Sequence, residues 1–142
     1  MEKPIAGYGW YIRRIGNALE KEVNRNLQDH NLTLQQSHVL VMLSRQDDLT
    51  LPLKELESRF GAAQSTVAGL VSRLEKKGLV EALHDPEDKR IKLVRLTPDG
   101  KAMQLACRQD VVDSEARLTA LLTDQEREQL LSCLQKVYDA VK

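Results

Sequence analysis

The hydrophobic period of the sequence changes at Gly78, and this change limits the possible folds more than any other feature. Residues 64–77 repeat apolar side chains at intervals of three and four, which predicts an amphipathic helix that ends at Gly78. The segments LVEALH and IKLVRL follow; they are rich in β-branched and aliphatic residues and enclose the charged turn DPEDKR. They predict a β-hairpin with its tip near residues 87–89. The fold must therefore contain a helix that leads directly into a pair of strands.

Helices are also predicted before this unit. The first is long and spans residues 8–29, and the second follows a capping box formed by Thr33 and Gln36. The next segment, QDDLTL, is interpreted as a break between helices. Pro52 suits the first turn of a short third helix, which Gly61 is placed to end.

Two further helices are predicted after the hairpin. Thr97 is a predicted N-cap for a helix over about residues 98–122, and a capping box of Thr123 and Glu126 begins the last helix. The long helices carry more apolar surface than a compact core of about residues 33–97 is expected to cover. Such surface usually meets a partner, and the simplest partner is a second copy of the chain.

Composition is typical of a globular protein of the cytoplasm. The chain has 142 residues, of which 42% are hydrophobic and 30% charged, which suits a single domain. No apolar run approaches the roughly 18 residues that a membrane span needs, and the N-terminus lacks the apolar stretch of a signal peptide. We therefore expect a cytoplasmic location without membrane contact. The 21 basic and 21 acidic side chains cancel overall, but residues 59–95 carry eight basic against five acidic side chains, which is compatible with a phosphate-facing patch.

The helices predicted at residues 53–60 and 64–77 have the spacing of a helix-turn-helix, with the tight turn GAA between them. In that motif the second helix enters the major groove of DNA. Its apolar stripe faces the core, so the opposite face is small and polar, and Gly69 offers no steric obstacle to base edges. The residues predicted to contact DNA on this helix are Gln64, Ser65, Thr66, Gly69, Ser72, Arg73 and Lys76. A solvated surface face is the alternative interpretation of the same residues.

The hairpin that follows carries Lys89 and Arg90 near its tip, and arginine suits the narrow, electronegative minor groove. Asp88 is placed to hold the Arg90 guanidinium through a bidentate pair. A charged surface turn is the alternative for this segment alone. A basic hairpin directly after a helix-turn-helix is more specific, and it favours double-stranded DNA as the partner.

The sequence resembles the multiple antibiotic resistance regulator family, the MarR-type winged helix-turn-helix transcription factors. The resemblance rests on STVAGLVSRLEKKGLV at 65–80, on the Asp88-x-Arg90 element and on LVRLTPDG at 93–100, in this order. It covers nearly the whole chain, because the helices before and after these motifs also follow the family's order.

The resemblance implies a mostly α fold in a single MarR-type domain of residues 1–142. A winged helix-turn-helix core of about residues 33–97, with a two-stranded wing, would be flanked by long N- and C-terminal helices at 8–29 and 98–142 that form a dimerisation region. The expected unit is a homodimer that binds a pseudo-palindromic operator, since two-fold symmetry presents two identical helices to successive major grooves. The expected function is transcriptional regulation, with repression as the first interpretation.

The resemblance also implies roles for single residues. Ser65, Thr66, Ser72 and Arg73 would contact the groove or its phosphates, and Arg90 would enter the minor groove. Family members commonly bind aromatic or phenolic compounds between the dimerisation helices and the winged helix. The residues that this chain offers there are Trp10, Tyr11, His38 and Met42, for which ordinary packing is the alternative.

Other functional classes find less support. The sequence shows no nucleophile with a base, no paired carboxylates and no glycine-rich phosphate loop, so we predict no enzymatic activity and no cofactor. His30, His38 and His84 are scattered, and no metal site is predicted. Cys107 and Cys133 lie in helical patterns and are interpreted as buried thiols. A metal- or redox-responsive regulator stays an alternative, as does a winged helix that binds protein, in which the arginine of the hairpin tip has no specific role.

Overall fold

The computed structural model describes residues 6–61 and 64–142. Within those ranges the chain is mostly helical and contains six helices and three strands, which confirms the predicted fold class. In chain order the elements are α1 (Tyr8–Asp29), α2 (Leu34–Ser44), β1 (Thr50–Pro52), α3 (Leu53–Phe60), α4 (Gln64–Lys76), β2 (Val80–His84), β3 (Lys92–Leu96), α5 (Pro98–Leu118) and α6 (Asp124–Val141). They form two compact units, one that extends to Asp110 and one of Val111–Lys142, so α5 contributes residues to both.

The first unit has a continuous apolar core. The predicted inward stripe of α4 is buried in it and consists of Val67, Leu70, Val71 and Leu74. The same core contains Val39, Leu40 and Leu43 from α2, Leu56 from α3, and Val94 and Leu96 from β3. Full burial of each such side chain is worth about 1.5–3 kcal/mol. This packing fixes which side of α4 can face another molecule.

The strands form one antiparallel sheet in the order β1-β3-β2. β2 and β3 pair in register, with Val80 opposite Leu96, so the predicted hairpin is present. The predicted two-stranded wing is therefore present, but the segment QDDLTL, interpreted only as a break, leads into a strand that was not predicted, because Thr50–Pro52 pairs with β3. Three residues are too few to show a strand period, and Pro52 lacks the backbone donor expected of a strand residue.

Several predicted helix ends are confirmed by their capping geometry. Thr33 and Gln36 form the expected capping box, and so do Thr123 and Glu126. Gly61 ends α3 in the left-handed conformation, with φ 60°, where a side chain would be strained. These short polar and glycine signals place the helices along the chain more reliably than the apolar period does.

One cap and one boundary differ from the prediction. α3 spans residues 53–60 as predicted, but Pro52 is its N-cap rather than part of its first turn. α5 ends at Leu118 instead of near residue 122, and a turn follows in which the N–H of Leu122 donates to the carbonyl of Thr119 at 3.1 Å. The sequence prediction extended α5 too far because leucines continue through this turn and imitate a helical period.

The second unit consists of the last part of α5, the turn after it, and α6. No side chain of α6 is buried in the chain, and an exposed apolar stripe runs along it through Leu130, Leu134, Val137 and Val141. Cys133 is exposed on the same helix, so its interpretation as a buried thiol was wrong for this chain taken alone. Across the described ranges, no helix is long and apolar enough to cross a membrane.

Gly100 lies where the start of α5 passes closest to the segment after α4. A Cβ at this position would lie 1.9 Å from the carbonyl oxygen of Leu79 and 2.7 Å from Cδ1 of Leu96. Since backbone must move to admit it, we expect Gly100→Ala to lower the free energy of unfolding by at least about 1 kcal/mol in thermal denaturation. Gly16→Ala is the control, because a Cβ there meets nothing within 4 Å. Equal melting temperatures for Gly100→Ala and the wild type would disprove the tight contact.

Candidate nucleic-acid interface

The face of α4 opposite the core is exposed and carries small and basic side chains. Its exposed residues are Thr66, Ser72, Arg73 and Lys76, with Gly69 half-buried among them. Gln64 and Ser65 occupy the first turn of α4, where the structure describes their backbone alone. Ala62 and Ala63, part of the predicted turn, lie outside the described residues. The residues predicted to contact DNA on this helix are thus brought to one side of it, except for two side chains that are not described.

Gly69 leaves open space beside the exposed face of α4. A Cβ built at Gly69 meets no heavy atom within 4 Å, so the position faces open space. We expect Gly69→Ala to stabilise the protein by about 1 kcal/mol, because alanine is the better helix former. The same methyl group should weaken DNA binding, because it occupies the space that a base edge needs. Thermal denaturation and fluorescence titration measure the two effects, and unchanged DNA affinity would place Gly69 outside the interface.

The turn between β2 and β3 is held by two aspartates. Oδ1 of Asp85 accepts a hydrogen bond from the N–H of Glu87 at 2.9 Å, and Oδ1 of Asp88 accepts one from the N–H of Arg90 at 3.1 Å. The N–H of Asp85 donates to the carbonyl of Ile91 at 3.0 Å. The wing, defined as β2, β3 and this turn, therefore has a tip with a defined backbone conformation.

Arg90 and Asp88 form the bidentate pair that the sequence suggested. Nε of Arg90 donates to Oδ1 of Asp88 at 3.0 Å, and its Nη2 donates to Oδ2 at 3.1 Å. The Arg90 side chain is 90% exposed, and the N–H groups that Asp88 does not use can reach another molecule. The exposed tip thus presents a guanidinium in one orientation, and exposed Lys89 adds a second positive charge beside it.

The pair is ionised at neutral pH. The side-chain hydrogen bond from Arg90, together with the weaker effect of its backbone N–H, holds the pKa of Asp88 below its ordinary value. The same side-chain hydrogen bond raises the pKa of Arg90. Because the pKa of Asp88 is lower in the folded than in the unfolded chain, the pair is present at neutral pH and is lost only as the pH falls through that lowered pKa.

Glu75 ties the wing to α4. Its Oε2 accepts a hydrogen bond from the N–H of Ala82, on the edge strand β2, at 2.9 Å. Within the wing, Nε of Arg95 donates to Oε1 of Glu81 across the two strands at 2.7 Å. Since these contacts lie in one compact unit, the wing tip and the exposed face of α4 keep a defined spacing.

The four residues predicted to bind a ligand lie on α1 and α2. Trp10 and Tyr11 are exposed and pack edge to face, with ring centroids 5.0 Å apart, and the guanidinium of Arg14 lies 5.1 Å from the Trp10 ring. His38 is exposed, whereas Met42 is half-buried and packs against the core. The structure therefore brings Trp10 and Tyr11 together and gives Met42 a packing role. Ligand binding by the four residues stays a prediction.

The Cys107 thiol and the His30 imidazole both lie near the carboxylate of Asp110. Burial, together with the nearby Asp110 carboxylate, raises the pKa of Cys107, so its thiol is protonated and weakly nucleophilic at neutral pH. Nε2 of His30 lies 2.8 Å from Oδ2 of the same Asp110. Among the described residues, no three His, Cys, Asp or Glu side chains come together as a metal site would need. The raised pKa of Cys107 argues against a reactive redox thiol at that position.

Sequence reasoning missed the polar links that fix α4. Glu75 bonds to the wing, and Nζ of Lys77 donates to Oε1 of Gln36 at 2.9 Å. Both charged residues belong to the run Glu-Lys-Lys. In the sequence this run shows only that charged residues lie near a helix end, and it does not indicate their hydrogen-bond partners. The capping role of Gln36 was recognised, but its bond to a residue 41 positions away leaves no local pattern.

A sheet with a basic tip beside a helix pair with one exposed polar face defines a winged helix-turn-helix protein. A sequence model described as the MarR family matches residues 32–92. The multiple antibiotic resistance protein MarR of Salmonella typhimurium strain LT2 is 32% identical over 134 residues, which cover 94% of this chain and 92% of that protein. The chain belongs to the MarR family. Membership confirms the predicted class, that of transcriptional regulators rather than enzymes.

Other relatives match over shorter stretches. YfiV of Bacillus subtilis, an uncharacterised HTH-type transcriptional regulator, is 35% identical over 71 residues, which cover 50% of this chain and 43% of YfiV. The chain spans about half the length of the curated relatives YfiV, YsmB and HosA. The homoprotocatechuate degradative operon repressor of Escherichia coli is 25% identical over 107 residues, 75% of this chain and 71% of that protein.

Solved structures of MepR, a transcription regulator of the Staphylococcus aureus multidrug efflux pump MepA, share the fold. One has a TM-score of 0.82 at 24% identity and covers 96% of this chain and 99% of MepR. A MepR mutant bound to an oligodeoxyribonucleotide has a TM-score of 0.78 at 25% identity, with the same coverage. The likeness confirms a fold of helices with a small antiparallel sheet.

Proposed function

We propose that the chain is a sequence-specific DNA-binding transcriptional regulator that acts in the cytoplasm as a homodimer on a pseudo-palindromic operator. α4 lies in the major groove, and Arg90 enters the adjacent minor groove. The observation that carries the proposal is the exposed Arg90–Asp88 pair at the tip of a wing that is bonded to α4. The pair leaves the other N–H groups of Arg90 exposed and oriented, which supports a contact with DNA at the wing tip.

The geometry of α4 suits a major groove. The groove of B-DNA is about 12 Å wide and admits a helix whose contacting side chains are small. Thr66, Gly69 and Ser72 leave that space, while Arg73 and Lys76 lie toward the C-terminal end of the helix, where they can neutralise phosphates. The MepR mutant solved with an oligodeoxyribonucleotide supports DNA as the partner of this fold.

Dimerisation supplies the second half of the interface. α1 and α6 each expose apolar side chains that a soluble chain normally covers, and we propose that a second copy of the chain covers them. On α1 these are Tyr8, Trp10, Tyr11, Ile12 and Ile15, and on α6 they are Leu130, Leu131, Leu134, Val137, Tyr138 and Val141. A two-fold dimer doubles the phosphate contacts, so a chain without net charge can bind DNA with a steep salt dependence.

Selection from a library of random-sequence duplexes tests this function. The purified protein is expected to enrich an inverted repeat whose half-sites are centred about 10 base pairs apart, because two α4 helices enter successive major grooves. Failure to enrich any sequence over the input library would contradict the proposal, and it would favour a winged helix that binds protein instead.

A finer proposal is that the chain is a repressor released by a small aromatic or phenolic ligand near Trp10, Tyr11, His38 and Met42. The exposed Trp10–Tyr11 pair offers ring faces for stacking, and exposed His38 offers a hydrogen-bonding group. One relative is named as the repressor of a homoprotocatechuate degradative operon. A ligand that prefers the DNA-free conformation must release DNA, and DNA must weaken ligand binding by the same factor.

A panel of phenolic acids tests the ligand. We expect at least one member to raise the melting temperature of the protein and to lower its affinity for the selected duplex. Trp10→Ala should remove both effects. Its affinity for the duplex in the absence of ligand should equal that of the wild type. A panel that changes neither quantity would leave these four residues as packing and surface residues only.

A further inference from the structure

The C-terminal end of α4 carries two adjacent lysines in different surroundings. Lys76 belongs to the face of α4 that contains Gly69 and Ser72 and is exposed there. Lys77 is one residue further, about 100° around the helix axis, and its Nζ donates to the carbonyl oxygen of Asn31 and to Oε1 of Gln36 at 2.9 Å. The two lysines therefore differ in what their ammonium groups can do.

The acceptors of Lys77 are firmly held. Gln36 is only 3% exposed, and its Oε1 also accepts a hydrogen bond from the N–H of Thr33 at 3.3 Å, as part of the α2 capping box. Asn31 has φ 56°, and its N–H donates to the carbonyl of Gln28 at 2.9 Å. An ammonium on two such acceptors forms charge-assisted hydrogen bonds to a fixed point, the junction of α1 and α2.

That junction is itself fixed on both sides. Leu32 is buried, and its N–H donates to the carbonyl of Leu27 at 2.9 Å, which closes the end of α1. His30 pairs with Asp110 of α5. Lys77 is exposed, but two of the three N–H groups of its ammonium are used at the anchored junction of α1 and α2. Only one N–H group is left for a phosphate.

We propose that Lys77 is a positioning residue for specific DNA binding: it holds α4 at the angle that base readout needs and does not contact DNA. The proposal rests on the function proposed above. A helix of 13 residues is about 20 Å long, so a tilt of about 3° at one end moves the other end by about 1 Å. Such a shift disturbs hydrogen bonds to bases, whereas contacts to phosphates, which are long-ranged, tolerate it.

The test compares Lys77→Met with Lys76→Met, the matched control that removes the same charge one residue away. Fluorescence titrations with the selected duplex and with a scrambled duplex, over a range of KCl concentrations, give two readouts. For Lys76→Met we expect equal weakening on both duplexes and a salt slope smaller by about one unit. For Lys77→Met we expect a roughly tenfold loss on the selected duplex alone, with little change in the salt slope or in binding to the scrambled duplex.

A second variant keeps the proposal testable if Lys77→Met is poorly folded. Gln36→Glu retains the capping box and both hydrogen bonds of Lys77, and it adds a carboxylate beside the ammonium. Positioning predicts that Gln36→Glu keeps the preference for the selected duplex with an unchanged salt slope. A phosphate contact by Lys77 predicts weaker binding to both duplexes and a smaller slope, because the new carboxylate neutralises the charge.

The outcomes separate this inference from the proposed function. Equal binding of both duplexes by the wild type would overturn the proposed function and the positioning role with it. A wild type that discriminates, together with a Lys77→Met variant that discriminates equally well, would overturn the positioning role alone. A Lys77→Met variant with the behaviour expected of Lys76→Met would show Lys77 to be a phosphate contact, which also overturns it.

Discussion

Replacing Leu130 and Leu134 with aspartate is expected to convert the proposed dimer into monomers or unfolded chains and to abolish operator binding. Both leucines belong to the exposed apolar stripe of α6, where their side chains are 39% and 47% exposed. In a dimer they would be covered, and an unpaired carboxylate is costly to bury. A single subunit reaches only one half-site, so its affinity falls well below that of the dimer. Light scattering measures the mass, and titration with the selected duplex measures binding.

The matched control is the pair Gln129→Asp and Ser132→Asp, which adds the same two charges to the opposite, polar side of α6. We expect this variant to stay dimeric and to bind as the wild type does, because both positions are exposed and lie away from the stripe. A wild type that is a stable monomer at concentrations where it saturates the operator would disprove the dimer.

Arg90→Ala is expected to weaken specific DNA binding by roughly 1–3 kcal/mol and to leave the fold intact. The side chain is almost fully exposed and contributes little to stability, so the melting temperature should not change by more than a few degrees. The variant lacks the guanidinium that Asp88 orients and that is proposed to enter the minor groove, where the negative potential favours arginine. A fluorescence titration with the selected duplex measures the loss.

Lys89→Ala and Asp88→Asn serve as companions to that variant. Lys89→Ala removes the exposed positive charge beside Arg90. Among the described ion pairs, Lys89 has no carboxylate partner of the kind that Asp88 provides for Arg90. We therefore expect a smaller loss of DNA affinity, similar for all DNA sequences. Asp88→Asn keeps an acceptor for the N–H of Arg90 but removes the ion pair, and it should give an intermediate loss. If Arg90→Ala binds as tightly as the wild type, the wing has no part in recognition.

The elements that the sequence predicted correctly are those with local signals. A capping box, a glycine after a helix, and an apolar stripe of period 3.6 each depend on residues within a few positions of one another. The boxes at Thr33 and Thr123 and the inward stripe of α4 therefore appear in the structure as predicted. The Asp88–Arg90 pair was also within reach, because its two members are separated by a single residue.

The elements that could not be predicted depend on distant residues. β1 is a strand only because β3 lies beside it, and the bond of Lys77 to Gln36 joins two helices that follow different local rules. The exposure of Cys133 has the same origin, since the apolar side of α6 is left uncovered within one chain. The residues that would face DNA follow from the helix period, whereas those that hold α4 in place became visible only in three dimensions.

Hydroxyl-radical footprinting of the selected duplex tests the central claim most directly, because it reads the position of the protein along both DNA strands. The proposed dimer predicts two patches of protection in the minor groove, where the wings lie, related by the two-fold axis of the operator. Each α4 helix should occupy the major groove between a wing and the two-fold axis. The centres of these two major-groove segments should lie about 10 base pairs apart. Uniform cleavage at saturating protein, or a single patch without a symmetric counterpart, would contradict a two-fold winged helix-turn-helix regulator.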